Sequence, residues 1–163
     1  MPELVISIVV GILAGICILL CIGVICLRSN KKRRDKLRPF TKNYIAHRGV
    51  YDNKEIPENS VKAFETAIAH GYCIELDVRL TKDDVPVVFH DATLVRMCGI
   101  DKRVCDCSYE ELCSYVLAET GEKIPTFREV LKTIDGRVPV LVEIKGDYAY
   151  KKTTAKTAGV LDG

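Results

Sequence analysis

The chain has 163 residues and a formal net charge of +2 at pH 7, which leaves room for one domain of ordinary size and an appendage. The charge is unevenly distributed, because residues 28–42 hold eight basic side chains and one acid, whereas residues 43–163 hold 16 basic and 20 acidic groups. The larger part is therefore mildly acidic, and no aromatic residue is interleaved with the basic ones in residues 28–38, so the composition argues against nucleic-acid binding.

The first predicted element is an apolar helix. Residues 4–27 contain no charged side chain, and a helix of that length is about 36 Å long, enough to cross a hydrocarbon core of about 30 Å. A cleaved signal peptide is the main alternative, but it needs a positive segment before a shorter apolar one, and only Met1, Pro2 and Glu3 come first here. We therefore expect a retained transmembrane anchor.

The basic residues 28–42 follow this helix and are expected to form a juxtamembrane linker. Basic side chains next to a span stay on the cytoplasmic side, so the N-terminus is expected outside and the globular part in the cytoplasm, at the cell membrane. The same residues are expected to attract anionic lipid, at roughly 1 kcal/mol per side chain near the surface.

After residue 42 the pattern alternates between strands and helices, as an α/β fold with a parallel sheet requires. Four runs of apolar and β-branched residues predict the strands: residues 43–49, 72–80, 85–90 and 138–145. The helix between the first two strands is expected to begin with Asn59 as its N-cap and to end at Gly71, with His70 in a structural role at its last turn.

Two further helices are predicted by capping-box patterns at residues 108–111 and 126–129. Residues 147–163 form a polar tail with little pattern. The eight cysteines predict neither zinc nor a set of disulfides, because three lie in the predicted span and the other five have no paired C-x-x-C spacing. Reduced thiols are expected.

Acidic residues interrupt two strands that should otherwise be apolar on both faces. Glu75 and Asp77 are two residues apart and point to one face of their strand, and Glu143 and Lys145 repeat this spacing. Acids that converge in an interior repel each other unless a cation lies between them, and oxygen ligands favour Ca²⁺ or Mg²⁺ over zinc. The alternative is that this face is exposed and the acids are surface residues.

Two histidines are predicted at the same end of the sheet. His47 and His90 each end a predicted strand, and Arg48 follows the first of them. In α/β barrels the active site gathers at the carboxyl ends of the strands, so these side chains are expected to lie near the acids.

Five strings in this order resemble the signature of glycerophosphodiester phosphodiesterases, over residues 44–146. They are His47-Arg48-Gly49, Pro57-Glu58-Asn59-Ser60, Glu75-Leu76-Asp77 with Arg79-Leu80-Thr81, Val87-Val88-Phe89-His90-Asp91, and Val142-Glu143-Ile144-Lys145. The resemblance implies a (β/α)₈ barrel and the hydrolysis of a small glycerophosphodiester to glycerol 3-phosphate and an alcohol.

The resemblance also implies roles for individual residues. One divalent cation, Ca²⁺ or Mg²⁺, would be bound by three acids: Glu75, Asp77 and Glu143. His47 and His90 would be the acid–base pair, Arg48 would bind the substrate phosphate, and Lys145 would add charge beside the metal. Which histidine begins as the base is left open, as is a first attack by glycerol's own hydroxyl. Glu58 and Asn59 are expected to shape the loop and the helix cap.

Only part of a barrel is predicted. A (β/α)₈ barrel takes about 200 to 250 residues, whereas 121 residues follow residue 42. We therefore expect residues 43–146 to be the N-terminal half of the barrel, with about four β/α units, and to be unstable or inactive alone. Two other functions stay open: a catalytically silent, membrane-tethered module that binds lipid head groups, and a related phospholipase that acts on intact lipids.

Overall fold

The computed structural model describes residues 2–27, 31–146 and 150–161. It divides into two compact units, one ending at Arg38 and the other beginning at Pro39, and each unit is described by itself. Residues 28–30 of the predicted basic linker and residues 147–149 and 162–163 of the predicted tail lie outside the described residues.

The first unit contains the apolar helix α1, Pro2–Leu27. Its stretch Ile6–Ile25 is long and apolar enough to cross a membrane, although a signal sequence would meet the same test. A second helix, α2, spans Lys31–Lys42, where the sequence predicted a linker. Lysine and arginine are good helix formers, which explains why this basic segment is regular.

The second unit alternates strands and helices, which confirms the predicted α/β class. Its elements in chain order are β1 (Ile45–His47), α3 (Val61–Ala69), β2 (Cys73–Leu80), β3 (Pro86–Val88), α4 (Val95–Cys98), a 3₁₀ turn (Val104–Asp106), α5 (Tyr109–Leu112), α6 (Phe127–Ile134), β4 (Val140–Ile144) and α7 (Tyr150–Leu161). The strands are shorter than predicted, and α7 lies in the segment that the sequence left as an unpatterned tail.

The strand β2 organises the sheet. β1 and β4 both pair with it in parallel, with His47 opposite Glu75 and Glu143 opposite Asp77. β3 pairs with the end of β2 in antiparallel orientation, so the prediction that all four strands are parallel was wrong for this one. The reason is the short connection: the N–H of Thr81 donates to the carbonyl of Val85, and a turn of this length permits only a hairpin, since a parallel crossover needs a dozen residues or more.

Backbone hydrogen bonds show which edge of β2 each partner occupies. β1 forms hydrogen bonds with Cys73 and Glu75 of β2, and the N–H of Phe89 donates to the carbonyl of Asp77. Alternate residues of a strand direct their backbone N–H and C=O groups to the same edge, so all three residues use one edge of β2. The N–H of Lys145 donates to the carbonyl of Val78 on the other edge, after β4. The segment after β3 is therefore held beside the carboxyl-terminal half of β2.

The two faces of β2 differ in chemistry. Ile74, Leu76 and Val78 are fully buried against α3 and α6 in a core that includes Phe64 and Phe127. Glu75 and Asp77 alternate with them and therefore point to the opposite face. The helices α3 and α6 thus cover the apolar face, as in the outer layer of a barrel.

The helix caps differ in part from the predictions. The N-cap of α3 is Ser60, whose hydroxyl accepts from the N–H of Ala63, so the assignment of this cap to Asn59 was wrong by one residue. Thr126 and Glu129 form the predicted reciprocal capping box of α6, which is confirmed.

At α5 only half of the predicted capping box forms. Ser108 accepts from the N–H of Glu111, as predicted. The carboxylate of Glu111 instead accepts from Lys102, an ion pair that the local sequence pattern does not indicate.

Candidate active site

Three carboxylates meet on the polar face of the sheet. Glu75 and Asp77 come from β2 and Glu143 from β4, and one oxygen from each lies within 4.8 Å of the others. The sheet register produces this arrangement, because Asp77 and Glu143 are direct partners across the parallel pair. Glu75 is 6% exposed and Asp77 is fully buried, whereas the side chain of Glu143 is 51% exposed.

Among the described atoms of these three acids, one buried carboxylate oxygen has no hydrogen bond, which is uncommon in a folded protein. Burial raises the pKa of Glu75, and the charge of Asp77 raises it further. The Oδ1 atom of Asp77 is buried without a hydrogen bond, although the ammonium of Lys145 lies 3.2 Å away and contacts Glu143 Oε1 at 2.6 Å. A cluster of hard oxygen donors with one unsatisfied buried atom fits a divalent cation of the Ca²⁺ or Mg²⁺ type.

A left-handed turn after β1 positions Arg48. Its φ is +61°, and its N–H donates to the carbonyl of Glu75 at 2.9 Å and to Glu75 Oε2 at 3.2 Å. Gly49 follows with φ +86°, and a Cβ there would come within 2.9 Å of the backbone of Ala63. Only glycine fits this close approach, so Gly49 fixes where Arg48 lies.

The side chain of Arg48 contacts acids of two different elements. Its Nη1 donates to Glu58 Oε1 at 2.9 Å, and its Nε lies 3.3 Å from Asp77 Oδ2 without the geometry of a hydrogen bond. The guanidinium is therefore held next to the carboxylate cluster, where it would meet an anionic ligand.

His47 borders the cluster directly. It is the last residue of β1, its side chain is 61% exposed, and its Nε2 lies 4.0 Å from Glu75 Oε2. The exposure leaves the ring accessible to a ligand on the polar face of the sheet.

His90 is positioned by side chains and not by a parallel strand. It follows the antiparallel strand β3, and its Nδ1 lies 2.7 Å from Asp91 Oδ1. Its carbonyl accepts from Arg79 Nε at 2.8 Å, which ties the segment to β2. The expectation that both histidines end parallel strands is correct for His47 only.

Sequence reasoning missed two polar neighbours of the predicted residues. Asn59 Nδ2 donates to Asp77 Oδ2 at 2.9 Å, so this amide orients a carboxylate rather than capping the helix. Burial raises the pKa of Glu58, but hydrogen bonds from Arg96 and Asn53 outweigh it and keep that pKa below its ordinary value. The string Pro57-Glu58-Asn59-Ser60 was the available signal, because it lies in the family signature although it carries no local pattern of its own.

Comparison with known proteins shows which family the chain resembles. A model described as the glycerophosphoryl diester phosphodiesterase family matches residues 47–161. A glycerophosphodiester phosphodiesterase of Caldanaerobacter subterraneus is 42% identical over 109 residues, which cover 62% of this chain and 44% of the relative. A lysophospholipase D of Rattus norvegicus is 33% identical over 132 residues, covering 73% of this chain and 40% of the relative.

Solved structures agree on the fold. An Oleispira antarctica phosphodiesterase in complex with the product sn-glycerol-3-phosphate superposes with a TM-score of 0.67 at 29% identity, covering 74% of this chain and 51% of that one. The chain thus spans about two fifths of the length of the curated relatives and about half of the solved structure.

Proposed function

The chain belongs to the glycerophosphoryl diester phosphodiesterase family, and from this premise we propose that it carries the active-site residues of a metal-dependent hydrolase that converts glycerophosphodiesters to glycerol 3-phosphate and an alcohol. The observation that carries the proposal is the meeting of three carboxylates, with one oxygen of each within 4.8 Å of the others, of which Asp77 has a buried oxygen without a hydrogen bond. Such a cluster is stable only with positive charge beside it.

In this proposal Glu75, Asp77 and Glu143 hold one divalent cation, either Ca²⁺ or Mg²⁺. When bound there, such a cation would supply positive charge to neutralise the oxygens of the substrate phosphate. Arg48 and Lys145 add charge of the same sign next to these carboxylates, so they bind and orient the anionic phosphate.

The two histidines move protons. One removes the proton of the attacking hydroxyl or water, and the other protonates the departing alkoxide, which is otherwise a poor leaving group. His47 is exposed beside Glu75, and His90 has its Nδ1 engaged by Asp91, which leaves Nε2 for proton transfer.

The relatives support a glycerol-containing substrate. The Oleispira antarctica enzyme was solved with sn-glycerol-3-phosphate as its product, and this is the product proposed here. A second candidate is a lysophospholipid, which is favoured by the relative named lysophospholipase D and by the membrane-length helix α1. In that case α1 anchors the enzyme at the surface that holds its substrate, with residues 28–42 on the cytoplasmic side against anionic lipid.

The test uses the full chain in detergent micelles with glycerophosphocholine, and an enzymatic assay for released glycerol 3-phosphate. Half a barrel is expected to have little activity, so the expectation concerns the turnover that remains: it should need added Mg²⁺ or Ca²⁺ and should fall at least about a hundredfold in His47→Ala and His90→Ala. His70→Ala is the matched control, because His70 caps α3 through Thr66 and is predicted to leave turnover unchanged.

Two results would contradict the proposal. Turnover that is unaffected by a chelator would exclude the metal role. Binding to anionic vesicles without turnover of any glycerophosphodiester or lysophospholipid would favour the catalytically silent, membrane-tethered module instead.

A further inference from the structure

A second charged cluster lies next to the carboxylates of the candidate active site, and Glu58 is its centre. This carboxylate is only 4% exposed. Its Oε1 accepts from Arg48 Nη1 at 2.9 Å and from Arg96 Nη2 at 2.7 Å, and its Oε2 accepts from Arg96 Nη1 and Asn53 Nδ2, both at 3.1 Å. Glu58 is therefore the shared partner of two arginines that are 48 positions apart in the chain.

Arg96 also holds the neighbour of His90. Its Nε donates to Asp91 Oδ2 at 2.7 Å and its Nη2 to Asp91 Oδ1 at 3.1 Å. With the two contacts to Glu58 and one from Nη1 to the sulfur of Met97 at 3.1 Å, the guanidinium has five acceptors for its five N–H groups. One planar side chain thus joins two acids that a point charge such as lysine would not hold in the same geometry.

The contact between Asp91 and His90 then has a defined direction. The hydrogen bond from Arg96 lowers the pKa of Asp91 to about 2, so this carboxylate stays ionised and can only accept. His90 Nδ1, at 2.7 Å from Asp91 Oδ1, must therefore carry the proton. The ring nitrogen that faces away from Asp91 is Nε2, which is then free to accept a proton.

We propose that Arg96 is a positioning residue that couples the orientation of His90, through Asp91, to that of Arg48, through Glu58. The inference rests on the proposed function for the roles of His90 and Arg48 in the reaction. It deepens that function, because one guanidinium outside the carboxylate cluster fixes the orientation of the proton-transfer group and of the phosphate-binding group relative to each other.

A simpler explanation makes Arg96 a counter-charge for the buried Glu58. The two explanations differ at His90, because a counter-charge has no reason to set the tautomer of a histidine that it does not contact. The side chain of Arg96 is itself 45% exposed, so a substitution removes little buried surface, and its effect comes mainly from the lost hydrogen bonds.

The decisive measurement is the tautomer of His90, read from ring ¹⁵N shifts of the full chain in detergent micelles with labelled histidine. The chain has three histidines, so three sets of signals are expected, assigned with His47→Gln and His70→Gln. At pH 7.5 we expect one tautomer at His90, with the proton on Nδ1, and a mixture of both in Arg96→Met and in Arg96→Lys, because Asp91 stays ionised in these variants but is no longer held with Oδ1 against the ring. Arg128→Met removes an exposed arginine of α6 and should leave the His90 signals unchanged.

A His90 ring that keeps its single tautomer in a folded Arg96→Met chain would overturn the inference. If Arg96→Met does not fold, Arg96→Lys decides by the same criterion, since it keeps the charge and loses only the planar fork. The tautomer is read without turnover, so an inactive chain would count against the proposed function and would leave this test intact.

Activity provides a second readout. We expect kcat to fall about 10–100-fold in Arg96→Met, the range typical of residues that orient an active-site group, with no change in Arg128→Met. Glu58→Gln should instead raise KM by releasing Arg48, and it should leave the His90 tautomer as it is. Equal effects of both variants on kcat and KM, with no change of tautomer in either, would show that the cluster acts only on stability.

Discussion

The molecule contains two groups of carboxylates on neighbouring elements, and the groups differ in what balances their charge. Glu75, Asp77 and Glu143 converge on one another, with a buried Asp77 oxygen that has no hydrogen bond. Glu58 and Asp91 are instead joined by the guanidinium of Arg96, and every described oxygen of these two acids accepts a hydrogen bond.

This difference appears in the pKa values. Burial and then Asp77 raise the pKa of Glu75, whereas the pKa of Asp91 falls to about 2, first of all through its hydrogen bond to Arg96. The comparison teaches that burial alone does not identify a ligand site. Acids whose oxygens are all hydrogen-bonded within the chain stabilise the fold and orient neighbours, whereas converging acids that raise one another's pKa, as at Glu75, are suited to bind a cation.

The largest effect is expected from Asp77→Asn. The cation should be worth several kcal/mol to the reaction, so turnover should fall about a thousandfold or more, and added Mg²⁺ or Ca²⁺ should no longer raise the Tm. Without metal the variant should be less stable than the wild type, because Arg48 and Lys145 lose the buried carboxylate beside which they lie. Thermal unfolding with and without metal measures both, and Asp101→Asn, at an exposed acid, is the control. A metal response that survives Asp77→Asn would remove the distinction between the two groups.

Glu58→Ala is expected to have the next largest effect, on stability. The change leaves Arg48 and Arg96 without their shared buried acid, so the free energy of unfolding should fall by about 3 kcal/mol. Urea unfolding measures it, and Glu65→Ala on the exposed side of α3 should change it by less than about 0.5 kcal/mol. A loss as small as that of the control would mean that Glu58 contributes no more than a surface acid.

Asp91→Asn should cost about 1 kcal/mol at pH 7, because solvent reaches Arg96 and screens its pair with Asp91. The folded pKa of Asp91, about 2, lies below its ordinary value of 3.8, so its stabilisation is complete above pH ~4 and is lost as the pH falls through ~2. The difference in urea midpoint between wild type and variant should therefore shrink over this range. A difference that stays constant down to pH ~2 would assign the effect to packing.

The smallest effect is expected from Lys145→Met. The ammonium of Lys145 contacts Glu143 and lies 3.2 Å from Asp77, so it competes with a cation for the same carboxylates. Its removal should tighten Mg²⁺ binding about threefold, less than 1 kcal/mol, as expected for a partly solvated charge. Isothermal titration measures the Kd, with Lys123→Met at an exposed position as the control. Weaker Mg²⁺ binding would instead indicate that Lys145 positions the carboxylates.

Local patterns were sufficient for a large part of the fold and the site. The alternation of β2 predicted that Glu75 and Asp77 share one face, because the side-chain period of a strand is two residues. The capping box at Thr126 and the apolar span of α1 are likewise properties of contiguous residues. The turn before β3 is also short enough to predict a hairpin, but the expectation of an all-parallel barrel led to a parallel assignment for β3.

Other features depended on residues that only the folded chain brings together. The N-cap of α3 is Ser60, whereas the side-chain amide of Asn59 donates to the carboxylate of Asp77, 18 positions away. The helix α7 was hidden because its buried residues, Thr153 and Thr157, are polar and leave no apolar stripe.

The sequence by itself thus determined the α/β class, the apolar N-terminal helix and the acids and histidines proposed for the candidate site. Each of these follows from a short periodic pattern or from an ordered string of residues. Only the tertiary structure decided how those charges are balanced. Arg96 contacts Glu58 from 38 positions away, and the strength of a charge pair depends on distance and burial in space, which no local period encodes.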